Sequence, residues 1–159
     1  MLDYFTPYLC AVPRSKSDIL IAFTRKIITV NTAYRQFIQN KLKENNVDLT
    51  FEMLQVLACL WQQDGINQQE IANITVKDKA SMTYLLDNLT KRNLVKRQED
   101  DSDRRNKLIF LTPKAKQLRT AIQPYLNDMY ETAGLNIDTN MLKECMDVLD
   151  KIERNLKPE

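Results

Sequence analysis

Apolar residues recur along this chain at two different spacings, and the places where the spacing changes divide it into elements. From Asp18 to about Glu44, Leu20, Phe23, Ile27, Val30, Tyr34 and Phe37 fall at heptad-like intervals, with Ile21, Ile28, Ile38 and Leu42 widening the stripe. This spacing predicts one long helix, roughly 40 Å at about 1.5 Å per residue. An apolar stripe of that length exceeds what a small domain's own core needs and points to continuation into a second subunit.

Thr50 then offers an N-cap, with Glu52 near the positive end of a helix that carries Phe51, Met53, Leu54, Val56, Leu57, Ala58, Leu60 and Trp61. So little polar face remains that this helix reads as central, and Gly65 supplies the turn after it. Asn67 and Glu70 have capping-box spacing for a short helix from Gln68 to about Ile74, flanked by Ile66 and Ile71 as a hydrophobic staple. Asp78 caps the next helix. Its apolar face is Met82, Leu85, Leu86 and Leu89, with Thr83, Tyr84, Asp87, Asn88 and Lys91 opposite.

The helical period then stops. Leu94-Val95 and Leu108–Leu111 predict two brief strands around the charged segment Glu99–Asn106, which is too long for a two-residue turn. Thr112-Pro113 starts another helix, running to about Ala133, that Pro124 should bend or break and Gly134 should end. Asp138 or Thr139 caps a last helix with Met141, Leu142, Cys145, Val148, Leu149, Ile152 and Leu156 on one stripe. Residues 1–17 hold two prolines among Tyr4, Phe5 and Tyr8, which predicts an extended or short-helical arm.

Two short-linked helices, the second amphipathic, followed by a charge-tipped hairpin make the layout of a winged helix-turn-helix. The expected fold is mainly α, with a short β-hairpin wing. The expected organisation is one continuous domain, with an arm at 1–17, dimerisation helices at 18–48 and 113–159, and a DNA-binding lobe at 49–112.

Composition narrows the chemistry. The 159 residues are 43% hydrophobic and 28% charged, with a net charge of only +2. Residues 75–107 hold nine lysines and arginines against six acids, a local +3 that leaves −1 elsewhere, the sign a nucleic-acid surface needs. Histidine is absent, which removes the commonest general base and metal ligand. Cys10, Cys59 and Cys145 are far apart, and two glycines make no phosphate-cradling loop. An enzyme is therefore not expected, nor any cofactor or metal. No apolar run approaches the roughly 18–20 residues of a membrane span. Asp3 and Pro7 interrupt what a signal peptide would need, so a cytoplasmic location is expected.

The segments LTFEMLQVL, NQQEIA and, most specifically, SMTYLLDNLTKRNLVKRQEDDSDRRNKLIFLTPKA resemble the MarR family of bacterial transcriptional regulators, over about Ser17 to Leu156. The resemblance implies a homodimer with winged-helix lobes, usually a repressor that releases palindromic operator DNA when a small aromatic or other small-molecule effector, or an oxidant, is sensed. Carried over by motif, Asp103 orients Arg105 into the minor groove and Arg104 meets phosphate. Ser81, Thr83 and Tyr84 match positions facing the major groove. Arginine is frequent in the family where this chain has Tyr84 and Asn88, so base preference does not carry over. Asn93 stands for a glycine before the first wing strand and tolerates a left-handed turn.

The candidate DNA-binding set is thus Lys77, Lys79, Ser81, Thr83, Tyr84, Asn88, Asp103, Arg104 and Arg105. Asp87 is a candidate buttress for a neighbouring arginine. Tyr34, Phe37, Met53 and Trp61 are candidates for an effector pocket, although at helical spacing they also suit a core. Cys10, near Tyr4 and Tyr8, is the candidate redox residue, with no cationic neighbour in sequence to activate it. The alternatives are a winged-helix protein-interaction module without DNA binding and a regulator sensing redox through Cys10.

Overall fold

The structure, a computed structural model, describes residues 15–99 and 107–157. Its elements are α1 (Lys16–Glu44), α2 (Phe51–Gln62), β1 (Ile66–Asn67), α3 (Gln68–Ile74), α4 (Lys79–Lys91), β2 (Val95–Glu99), β3 (Lys107–Leu111), α5 (Pro113–Ala133) and α6 (Thr139–Leu156). The expected mainly helical architecture with a short hairpin is present. No helix among the described residues is long and apolar enough to cross a membrane.

The helix starts are set by side chains competing for free amides. Thr50, Asn67, Asp78, Thr112 and Asp138 all act as N-caps, as their positions predict. The long helix begins earlier than expected because Ser15 caps it. The Ser15 hydroxyl accepts from the Asp18 amide and the Asp18 carboxylate accepts from the Ser15 amide, each at 3.1 Å. Asp18 is therefore the third helical residue, closing a capping box.

Three helices close alike. Asn46, Val76 and Asn93 take positive φ of 54°, 51° and 54°. The following amide then reaches back into the last turn, Val47 to the Leu42 carbonyl (2.8 Å), Lys77 to Ala72 (2.9 Å) and Leu94 to Leu89 (2.9 Å). Asparagine tolerates this conformation; β-branched Val76, 90% exposed, is the strained member.

One core joins all layers except the last helix. α2 supplies six of its residues (Met53, Leu54, Val56, Leu57, Cys59 and Leu60), consistent with its nearly continuous apolar surface. Ile38 and Leu42 of α1, Ile71 of α3, Met82, Leu86 and Leu89 of α4, Ile109 of β3 and Ile122 of α5 meet it fully buried or nearly so. Polar clamps set the angle of α2. At its start the Gln39 side chain donates to the Leu49 carbonyl (3.1 Å) and accepts from the Phe51 amide (3.0 Å). At its end the Trp61 indole donates to the Ala115 carbonyl (3.1 Å), while Arg119 donates to the Trp61 carbonyl (3.2 Å). Each such bond is worth about 0.5–1.5 kcal/mol net, and its direction fixes register more than its energy does.

The sheet is antiparallel in the order β1-β3-β2. β1, only two residues long, pairs Ile66 with Ile109 and Asn67 with Leu108. A strand this short has no period to read in the sequence. β2 corrects the strand expected at Leu94-Val95. It starts at Val95 and runs on to Glu99, which pairs with Lys107. Lys96–Glu99 are exposed, so the ladder and not an apolar face holds them extended. The connecting segment is therefore shorter than Glu99–Asn106.

Pro124 does not break α5, which continues from Pro113 to Ala133. Pro124 and Thr120 both lie on the exposed side, where the carbonyl deprived of its donor faces solvent, and buried Ile122 and Met129 hold either flank. Gly134 caps α5 at φ −86°, so the left-handed turn falls instead on Asn136 (φ 59°). α6 buries none of its residues, and Ile19, Leu20, Ile21, Ile27, Ile28 and Val30 of α1 are exposed.

Candidate nucleic-acid interface

α3 and α4 form a helix-turn-helix around the strained Val76, with α4 on the surface and β2–β3 leading away beside it. α4 buries Met82, Leu85, Leu86 and Leu89, so Lys79, Ala80, Thr83, Tyr84 and Asp87 face outward around a shallow depression. This is the face that the sequence assigns. Asp103, Arg104 and Arg105, expected at the wing tip, lie outside the described residues, as does Cys10. The ladder does place Glu99 and Lys107, which bracket them, as directly paired neighbours.

The polar side chains of α4 are mostly engaged with the protein itself. The Ser81 hydroxyl donates to the Asp78 carboxylate (2.6 Å), which also caps the Ser81 amide (2.8 Å). The Ser81 hydroxyl and amide at the helix start hold the Asp78 carboxyl below its ordinary value. The Thr83 hydroxyl donates to the Lys79 carbonyl (2.9 Å) and accepts from Gln68 of α3 (2.7 Å), locking the two helices of the motif together. The Asn88 amide donates to the Tyr84 carbonyl (2.8 Å). Asp87 takes Arg97 of β2 at 2.7 Å, the buttress anticipated from sequence, and so couples α4 to the wing strand. Arg92 is drawn back to Asp48 at 3.1 Å.

Lys77 sits half-buried in a groove between the starts of α2 and α4 that also includes Thr50, Glu52 and Tyr84. Partial burial pushes the Glu52 carboxyl up. Its own amide at the helix start, the Arg35 guanidinium, the Thr50 hydroxyl and the Lys77 charge outweigh this and bring it below its ordinary value. Among the described candidates, Lys79 and Tyr84 are exposed without their side chains being drawn into the hydrogen bonds given above, Tyr84 with 67% of its surface exposed.

Residues 49–107 match the MarR family. This lobe is a MarR-family domain. The chain shares its fold with a MarR protein from Peptoclostridium difficile (TM-score 0.75, 24% identity, covering 92% of each chain). It likewise resembles the structure of reduced AbfR bound to DNA (TM-score 0.70, 21% identity, covering 87% of this chain and 94% of that one). In sequence it is 30% identical over 91 residues to the HTH-type transcriptional regulator TtmR of Methylorubrum extorquens. That match takes in 57% of this chain and 47% of TtmR, so it spans about half of that relative's length.

Beneath the MarR-family lobe, a cavity of about 350 Å³ opens between α1, α2 and α5, lined by Asn31, Tyr34, Phe51, Gln55, Met129 and Tyr130 among others. Tyr34 and Tyr130 form one wall, their ring centroids 6.1 Å apart. Of the four pocket candidates only Tyr34 lines it. Met53 faces the groove beside α4, Trp61 is pinned at the far end of α2, and Phe37 packs under the Lys41 ammonium at 5.5 Å. All four share helical apolar stripes, and a one-residue step along a helix turns a side chain by about 100°, which spacing alone does not resolve. Cys59 is buried, and burial pushes its thiol up; Cys145 is exposed on α6.

Proposed function

We propose that the protein is a DNA-binding transcriptional regulator that acts as a homodimer, represses by occupying a palindromic operator, and is released by a small-molecule effector. The observation that carries the reading is α4, a helix buried on one face, outward on the other, and tied through Asp87–Arg97 to a strand leading to Asp103, Arg104 and Arg105. α4 enters a major groove and the wing an adjacent minor groove, whose enhanced negative potential suits Arg105. Lys77, Lys79 and Arg104 meet phosphate. The DNA-bound state of AbfR, a protein of the same fold, supports this reading.

Dimerisation rests on α1 and α6. The outward apolar residues of α1 and the stripe of α6 lack cover among the described residues, and a two-fold axis buries both. The two α4 helices then lie about one helical turn of DNA apart. The cavity lies between α1 and α5, which belong to the dimer scaffold, and α2 of the lobe. A ligand there sets the angle between scaffold and lobe, and hence the spacing of the two α4 helices.

The test is fluorescence anisotropy of the full chain on duplexes from the region upstream of its own gene, across a salt series. Arg105→Ala is expected to weaken binding by about 1–3 kcal/mol and to flatten the salt slope. Unchanged affinity removes the wing from the reading, and no binding to any upstream duplex removes DNA.

A further inference from the structure

We propose that Tyr84 is the residue through which α4 reads sequence, and that it reads thymine, packing its ring edge against the C5-methyl of a T·A pair. This rests on the DNA-binding reading above and names what that surface recognises. The argument is one of availability. Base edges are read by side chains free to turn toward the groove. On α4 the Ser81 hydroxyl is given to Asp78, the Thr83 hydroxyl is shared between Lys79 and Gln68, and the Asn88 amide is turned onto the Tyr84 carbonyl.

Guanine is taken most often by arginine, bidentate on O6 and N7. The described arginines nearest α4 are both committed elsewhere, Arg97 to Asp87 at 2.7 Å and Arg92 to Asp48 at 3.1 Å. Lys79 opens the helix and is exposed, where its ammonium suits a phosphate.

Tyr84 remains, in the second turn and 67% exposed. Ala80 lies one turn before it on the same face, exposed and with only a methyl group. Together they present a small apolar notch beside a phenolic hydroxyl. In the major groove only thymine offers a methyl group, and apolar contact with it is an established means of direct readout. The hydroxyl, donor and acceptor at once, adds a bond to a neighbouring base edge or phosphate.

The experiment selects binders from a library of randomised duplexes with the full-length protein, its Tyr84→Phe variant and its Tyr84→Ala variant. The natural chain is expected to enrich T·A at one position per half-site. Replacing that thymine by deoxyuridine, which deletes only the methyl, should weaken its binding about fourfold, the worth of one buried methyl group. Tyr84→Phe should keep this methyl dependence, and because it removes only the hydroxyl it also controls for folding. Tyr84→Ala should lose both the enrichment and the deoxyuridine effect. A tolerated deoxyuridine, or a methyl effect that persists in Tyr84→Ala, overturns the inference while DNA binding stands. A library from which the natural chain enriches nothing overturns both.

Discussion

Gly65 is where a single methyl group should travel furthest through this fold. It sits at φ +75°, its amide donates to the Ile109 carbonyl at 3.0 Å, and the ring of Phe110 lies over its Cα. A Cβ placed there meets Phe110 Cε1 at 2.6 Å and Cζ at 2.9 Å, closer than carbon atoms tolerate. Two costs therefore combine in Gly65→Ala. The left-handed conformation costs a non-glycine residue about 1–2 kcal/mol, offset by roughly 0.4–1 kcal/mol from the reduced freedom of the unfolded chain. Displacing the ring adds an overpacking cost of about 1–3 kcal/mol. The sum is a destabilisation of roughly 1–5 kcal/mol.

Phe110 pairs with Lys96 across the ladder and sits beneath its ammonium at 6.0 Å, so a displaced ring also disturbs the strands leading to the wing. Chemical denaturation at one fixed protein concentration measures the effect, since the stability of the proposed dimer would depend on concentration. The decisive assay is the double-mutant cycle with Phe110→Ala. Removing the ring removes the clash, so the double variant should be more stable than the sum of the singles predicts by at least about 1 kcal/mol. Additivity to within about 0.3–0.5 kcal/mol refutes the contact.

Two further outcomes follow from the geometry. Leu149→Glu should separate the proposed dimer and leave each chain's fold intact, because α6 buries none of its residues among the described ones; sedimentation equilibrium should show monomers with unchanged circular dichroism, and a persistent dimer would clear α6 of that role. Asp78 has a carboxyl held low by Ser81, so its stabilising effect is present above the ordinary carboxylate value and is lost as pH falls through the lowered native value. Asp78→Asn keeps an N-cap acceptor but cannot titrate, so thermal melts should show a flatter decline in the acid range, and an identical decline would refute the assignment.

Much of this protein follows from local rules that a sequence displays. Thr50, Asn67, Asp78, Thr112 and Asp138 cap the helices they precede because an unpaired amide at a helix start needs an acceptor within three residues. The apolar face of α4 is buried as its spacing requires, and Asp87 meets an arginine of β2. The uncovered stripe of α6 is also legible, since a periodic apolar face is visible whether or not one chain covers it.

What tertiary structure decided are the relations between distant residues. β1 exists because Ile66 lands opposite Ile109, a pairing across 43 positions that two residues cannot announce. Pro124 leaves α5 whole because it falls on the solvent side, where a carbonyl without its donor is satisfied by water. The cavity takes Tyr34 and not Phe37, Met53 or Trp61 because helix rotation and the clamps on α2, from Gln39 at one end and Ala115 at the other, select which apolar side chains face it. The same distinction governs α4. Sequence marks which residues face outward, while the hydrogen bonds they make determine that Ser81, Thr83 and Asn88 serve the scaffold and leave the Tyr84 ring exposed. Spacing along a chain encodes direction, but occupancy of a hydrogen-bonding group depends on what the fold brings beside it.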